Sequence, residues 1–504
     1  MAVKKIQITW TKQNTFKSIL LFLLHFIILM AISGVLLLYD KFAYLQEHME
    51  EHGAHYLYAV FCAFLLVVIM YFYFFFENKA LLSNGKNIAL IFSVLNLYVI
   101  IAYLLGINIH VYARPVAFVA LMMFVLVGRR EAIFLNIISA LLMFVIDNFA
   151  VTTTGFETEY YSSLLISFSA GMFAIFFCDK AKTRFRVIGI GIVIVIPIDL
   201  IIFLLEISVL VKTGDSLLEM PAFENILTNM GYGLFGGVMS TVFFLAILPI
   251  FENLFNCLTV FRLRELTSSD AKILRKLKEE APGTYNHAVM VAQLAESCAA
   301  AIGEDVDYAR AAALYHDVGK LHYPEHFTEN QGDYNLHDEL TPELSADIIR
   351  SHAKDGYTLI KNHHLPEFLA DVAIQHHGTM PIRYFYAKAL KLTDGELNIE
   401  DFSYLGPKPQ TKVAAIVMIA DASEAAVRAT NSRSPEAAEK AIRMVIEERM
   451  DLEQFAECDI TMGDLTKIRL ALVATLTGVY HHRIKYPNIK YKRNEDGTTK
   501  GENV

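Results

Sequence analysis

Cysteine pairing is what this chain most clearly lacks. Its five cysteines, Cys62, Cys178, Cys257, Cys298 and Cys458, are scattered and never form a C-x-x-C pair. That argues against a structural zinc or disulfide framework and for free thiols in membrane or cytosol. A glycine-rich nucleotide loop, internal repeats and convincing alternating strands are also missing. So is a basic excess: 44 Lys and Arg stand against 53 Asp and Glu, a net charge of -9. A nucleic-acid polymer is therefore not an expected partner. What is abundant is apolar surface. Hydrophobic residues make up 54% of the 504, too many for an ordinary soluble protein, and they concentrate before about Phe251.

A helix needs ~20 apolar residues to cross the hydrocarbon core. Eight runs approach that length: about 18–39, 55–76, 87–107, 111–128, 131–149, 161–178, 187–211 and 231–251. Lys4, Lys5, Lys12 and Lys17 precede the first, which reads as a signal anchor, with no A-x-A-like site after it. Every second connection is basic: Lys79 and Lys86, then Arg129 and Arg130, then Lys180, Lys182, Arg184 and Arg186. The others are short or acidic, as in QEHMEEHGAH and KTGDSLLEMPAFEN. Short cytoplasmic loops favour Lys and Arg, so both termini are expected on the cytoplasmic side of a lipid bilayer. Asp199 and Glu206 lie seven residues apart in the seventh run, on one helix face near Pro197. They serve either as a structural polar contact or as a ligand or ion site within the bundle. Asp147 and Asn148 are expected at the membrane interface.

From 252 to 281 the sequence turns amphipathic, with Leu254, Leu258, Phe261, Ile273, Leu274 and Leu277 as an apolar stripe. This connector reads as a stalk leaving the membrane. Pro282-Gly283 breaks it, and Thr284 is the expected cap of the next helix. Residues 282–490 then follow a helical period in NHAVMVAQLAESCAAAI, YARAAALYHDVGK, SADIIRSHAKDGYTLIKNHH, FLADVAIQHHG, KVAAIVMIADASEAAVRAT and LTKIRLALVATLTGVYHHR. The tail 491–504 is polar and expected to be disordered. The fold class is therefore all-α: a polytopic bundle over 1–251, then a cytoplasmic helical domain.

Chemistry concentrates in that second half. His316-Asp317 would mean little alone, but His287 lies on the preceding helix. His352, His376, His377 and Asp421 lie on later ones. Seven potential ligands on successive helices suit a metal centre in a helical bundle. Imidazole with carboxylate favours first-row ions such as Mn, Fe, Co or Zn. Two ions ~3.5–4 Å apart can activate water and neutralise a phosphate, and Asp317 is the natural bridging carboxylate. Lys320 lies three residues after Asp317 and Arg428 seven after Asp421, each on the same helical face as its acid. Either could hold phosphate oxygens or be a surface ion-pair partner.

The pattern H…HD…D belongs to the HD phosphohydrolase superfamily. The fuller set, EAPGTYNHAVMVAQLAE, ALYHDVGK, HAKDG, QHHGT, GPKPQTKVAAIVMIADASEAA and HHRIKYP, resembles the seven-transmembrane HD receptors, whose PgpH-type members hydrolyse cyclic di-AMP. The resemblance covers about residues 1–490. It implies two divalent transition-metal ions, manganese or iron foremost. One would be held by His287, His316, Asp317 and Asp421, the other by Asp317, His352, His376 and His377. It implies Asp317 and Lys320 as catalytic residues and a substrate pocket near Lys320, Thr379, Tyr384 and Tyr386; the tyrosines could equally be core aromatics. It also implies a bacterial plasma-membrane setting and a cyclic dinucleotide substrate, and leaves homo-oligomers open. The GYP signature of cyclic di-GMP enzymes is absent after QHHG, which reads HGTMPIRYFY. One departure is the connection of only about 40–54 between the first two runs. Typical members carry a large extracellular domain there, so no ectodomain sensor is expected. Two other readings compete. A nucleotide phosphohydrolase needs only the mononuclear core, and three further histidines speak against it. A receptor or transporter with an inactive HD module would have been favoured by loss of His316 or Asp317, and neither is lost.

Overall fold

The computed structural model describes residues 12–150, 157–179, 183–213, 220–332, 334–392, 396–430, 434–479, 489–493 and 499–503. The chain divides into two compact units, Met1–Arg264 and Glu265–Val504.

The first unit contains α1 (Lys12–Glu77), α2 (Lys79–Ser83), α3 (Gly85–Asn108), α4 (Phe118–Leu126), α5 (Arg129–Ala150), α6 (Glu157–Cys178), α7 (Arg184–Thr213) and α8 (Met220–Leu254). Six described stretches are long and apolar enough to cross a membrane: Gln13–Tyr39, Leu57–Glu77, Gly85–Asn108, Tyr161–Cys178, Arg184–Val211 and Phe223–Leu254. The first two both belong to α1, yet they are not collinear. Phe22 meets Tyr71 with ring centroids 5.3 Å apart, and Phe26 meets Phe64 at 5.4 Å. Residues ~50 apart on a straight helix would be ~75 Å apart at 1.5 Å per residue. The chain therefore reverses between Tyr39 and Leu57, and its two apolar halves pack together.

The run 111–128 is not one continuous helix, contrary to the sequence expectation. A 3-10 turn covers Val111–Ala113, Arg114 is extended at φ -68 and ψ 144, and α4 begins only at Phe118. Pro115 explains the break, because it donates no hydrogen bond and disfavours helix at the preceding residue. The freed backbone is satisfied from α8, where Ser240 Oγ accepts from the Ala117 amide at 3.2 Å. Gly236 lets α8 come close: a Cβ there would lie 2.6 Å from the Tyr112 and Arg114 carbonyl oxygens. Irregular backbone at membrane depth is tolerated where protein buries it in this way.

The break also places Arg114 opposite Asp147 of α5. The guanidinium donates to both carboxylate oxygens, at 2.5 and 2.9 Å, and both side chains are 3% exposed. Asp147 is thus buried and paired with Arg114 inside the bundle; the side chain of Asn148 lies outside the described residues. Of the acids in α7, Glu206 accepts from Asn229 Nδ2 of α8 at 2.8 Å. Asp199 sits against Gly233, whose absent Cβ leaves room for Oδ1.

Helix α9 (Val260–Leu266) spans the boundary between the two units in sequence. The second unit contains α10 (Lys272–Glu280), α11 (Pro282–Ile302), α12 (Val306–Tyr315), α13 (Pro342–Asn362), α14 (Glu367–Gln375), α15 (Arg383–Leu390), α16 (Lys412–Arg428), α17 (Pro435–Asp451) and α18 (Met462–Val479). Helix α10 does not stand free as a stalk. Its Ile273, Leu274 and Leu277 are buried, and it packs on α11. Thr284 is not the cap of α11, which starts at Pro282 itself. Proline at the first helical position loses no hydrogen bond, since that amide has no partner in the helix. Helix α11 is central, packing on α12, α16 and α18, and α13 packs on α14. In the tail, expected to be disordered, β1 (Ile489–Arg493) pairs antiparallel with β2 (Thr499–Asn503). This hairpin is the departure from an all-α fold among the described residues.

Candidate metal centre

Two helix ends and three helix faces converge on one buried cluster. Helix α12 stops at Tyr315, His316 caps it, and a 3-10 turn follows over Val318–His322. At three residues per turn, positions i and i+3 eclipse. Lys320 therefore lies over Asp317, with Nζ 2.8 Å from Oδ2. The turn is seated tightly, because a Cβ on Gly319 would lie 1.9 Å from the His352 carbonyl oxygen on α13. Helix α14 ends at Gln375, and Gly378 takes φ +53, a left-handed conformation that favours glycine. His376 and His377 thereby project from a helix end, their rings 4.0 Å apart. His287 comes from α11, His352 from α13 and Asp421 from α16.

Ligand-capable atoms of Asp317, His352, His376 and His377 form one group within 4.8 Å of one another; those of His287, His316 and Asp317 form a second. His316, His376 and Asp421 also meet this limit. Asp317 joins the first two groups. Its Oδ1 lies 3.3 Å from His352 Nε2 and 3.6 Å from His376 Nε2, while Oδ2 lies 3.2 Å from His316 Nε2 and 3.8 Å from His287 Nε2. Asp421 is 3.0 Å from His287 Nε2 and 3.9 Å from His377 Nδ1.

The imidazoles are aimed. His316, His352 and His376 each place Nδ1 2.5–2.8 Å from the carbonyl oxygen three residues earlier, leaving Nε2 for the cluster. Such a hydrogen bond fixes tautomer and ring orientation. His377 stacks on Tyr404 at 4.2 Å. Burial pushes the His352 pKa down to about 3 and, with His376 and His352 beside it, holds His377 well below the usual histidine range. Burial alone would raise Asp317, but the charges of His316 and Lys320 hold it well below the usual carboxylate range. Burial likewise opposes Asp421, which His287 draws down. Burial would lower His287, but hydrogen bonds to Asp421 and Glu424 raise it to about 10.

The donor set fits divalent metal. His316 Nε2 and Asp317 Oδ1 are buried with no hydrogen-bond partner, an expensive state unless a cation takes the lone pairs. Imidazoles with carboxylates, on a helical scaffold, match first-row transition ions.

Other residues fall differently. Lys320 donates to Glu329 as well as Asp317, at 2.8 Å each. Thr379 is exposed, and its amide donates to Gln454 Oε1 at 2.9 Å. Tyr384 is 65% exposed. Tyr386 donates from its hydroxyl to the Leu397 carbonyl at 3.3 Å and packs with Phe385, Ala389 and Phe402. Arg428 is half exposed and 3.6 Å from Glu424. Sequence reasoning missed Glu424, Glu329, Tyr404 and Gln454. Glu424 was findable, being three residues after Asp421 and so on the same helix face; the other three carry no local signal.

Comparison with known proteins bears on both halves. Residues 54–259 match the family described as 7TM receptor with intracellular HD hydrolase, and residues 284–426 match the HD domain. The chain is 38% identical over 382 residues to cyclic-di-AMP phosphodiesterase PgpH of Bacillus subtilis (strain 168), covering 76% of this chain and 52% of that protein. It is 45% identical over 265 residues to the protein of the same name from Listeria monocytogenes serotype 1/2a, covering 52% and 37%. A crystal structure of the L. monocytogenes PgpH HD domain in complex with cyclic-di-AMP is 48% identical, with TM-score 0.41, covering 42% of this chain and 99% of that one. The chain spans about half or less of the length of these curated relatives. An apolar helical unit matched to the 7TM receptor family thus precedes, in the sequence, a histidine–aspartate cluster that lies within the matched HD domain.

Proposed function

We propose that this protein is a membrane-bound, metal-dependent phosphodiesterase that hydrolyses a cyclic dinucleotide, cyclic di-AMP to linear pApA in the first place. The observation that carries the reading is the convergence of seven ligand-capable residues, six of them in two groups that share Asp317. The names of the two PgpH relatives support the substrate. His287, His316, Asp317 and Asp421 would hold one ion, and Asp317, His352, His376 and His377 the other; manganese and iron suit these donors. Bound there, two divalent ions supply an activated water and neutralise phosphate charge. The chain's own residues prepare that chemistry. Three backbone carbonyls hold the Nε2 atoms of His316, His352 and His376 toward the cluster. Lys320 fixes Asp317 between the two groups while Glu329 holds the lysine from its other side. Tyr384, with its ring exposed, is offered to stack an adenine, and Thr379 lies beside His377 at the helix end.

The purified full chain, in detergent and supplied with Mn, is expected to convert cyclic di-AMP to pApA faster than it cleaves cyclic di-GMP. Product chromatography over a panel of cyclic dinucleotides and mononucleotides checks this. Preference for cyclic di-GMP, or activity confined to mononucleotides, would overturn the substrate assignment.

We place the protein in the bacterial plasma membrane with both termini cytoplasmic, because basic connections alternate with acidic or short ones along the apolar runs. Tags inserted at Ser83 are expected to react only from the cytoplasmic side and those at Asn108 only from outside. The reverse pattern would invert the topology.

A further inference from the structure

Of the five clustered histidines, three turn Nδ1 toward a backbone carbonyl in their own helix. His287 does not. Its Nδ1 lies 3.0 Å from Glu424 Oε2, and both side chains are nearly buried, 6% and 5% exposed. The two residues belong to different helices, α11 and α16, 137 positions apart in sequence. His287 is thus oriented by a side chain that can be removed without breaking a helix. Arg428 lies one turn beyond Glu424 and approaches its other oxygen, Oε1, at 3.6 Å. The order Arg428, Glu424, His287 leads from the surface to the cluster.

We propose that Glu424 is a positioning residue for metal binding, accepting from His287 Nδ1–H so that Nε2 presents its lone pair to the ion shared with His316, Asp317 and Asp421. Arg428 restrains the carboxylate from its other oxygen. The inference rests on the metal-binding reading of the cluster and not on the identity of the substrate. A carboxylate behind a ligating histidine fixes the ring and raises the basicity of the ligating nitrogen. Glu424 acts on one subsite only, since no described hydrogen bond joins it to His352, His376 or His377.

The test compares Glu424→Ala and Glu424→Gln with the wild-type full chain. It reads Mn stoichiometry by elemental analysis, Mn affinity by chelator competition, and the melting temperature of metal-free protein. Glu424→Ala should weaken one of two Mn sites by about 10- to 100-fold, the usual loss for such a partner, and leave the other unchanged. Glu424→Gln keeps an acceptor oxygen and should recover most of that affinity. A role in packing alone would lower the metal-free melting temperature in Glu424→Ala with both Mn affinities intact, and that result overturns the proposal. Equal weakening of both Mn sites overturns it too. If no cyclic dinucleotide is cleaved, the substrate reading fails, yet the Mn measurements still decide the role of Glu424.

Discussion

Asp317→Ala is expected to lose both metal ions and to depress phosphodiester cleavage by roughly 10³-fold or more, the scale of removing central electrostatic and metal contributions. No other residue belongs to both ligand groups: Oδ1 faces His352 and His376, and Oδ2 faces His316 and His287. Asp421→Ala should behave differently, because Asp421 groups with His316 and His376 and stands outside the set of Asp317, His352, His376 and His377. It should keep about one ion per chain. Elemental analysis of both variants beside a turnover assay checks the contrast. Retention of two ions by Asp317→Ala would remove the bridging role. The fold should survive the Asp317 change, because Lys320 keeps Glu329 as a partner at 2.8 Å.

Gly319→Ala should be as damaging to activity by another route. Its new Cβ would lie 1.9 Å from the His352 carbonyl oxygen and 2.5 Å from the Gly356 amide nitrogen. Both obstacles are backbone, so no rotamer change relieves them. The 3-10 turn carrying Asp317 and Lys320 must move away from α13, which carries His352. Overpacking of this kind costs about 1–3 kcal/mol, and a ~1 Å misplacement of reacting groups can cost ~10²-fold in rate. Gly356→Ala is the internal control. Its Cβ would be 3.3 Å from the Gly319 amide nitrogen and 3.5 Å from the Ala373 Cβ, distances that small adjustments absorb. Thermal melts and turnover of the two variants should separate clearly. Equal stability and activity would mean that the turn is not held by this contact.

The ligands were legible in the sequence because the chemistry restricts their types: five histidines and two aspartates on successive helical segments have few bland explanations. What aims them was less so. His316, His352 and His376 are oriented by backbone carbonyls, and Glu424 reaches His287 across 137 residues. Tyr404 meets His377 from an irregular segment with no period to read. The apolar runs announced a membrane bundle, but hydropathy is blind to where a run breaks. Pro115 held that information, and reading it would have placed Arg114 in extended backbone opposite a buried Asp147. Pro282 was read as a breaker when its position, first in a helix, made it a start. The tail, whose polar composition reads as disorder, has flanks 489–493 and 499–503 that pair.

The most direct test of the binuclear assignment is a metal titration of stripped full-length protein, with bound ions and cyclic di-AMP turnover measured on the same samples. Turnover should stay near background up to one ion per chain and rise as the second binds, while His377→Ala should stop at about one ion without cleaving. Full turnover at one ion per chain, or in His377→Ala, would contradict the account.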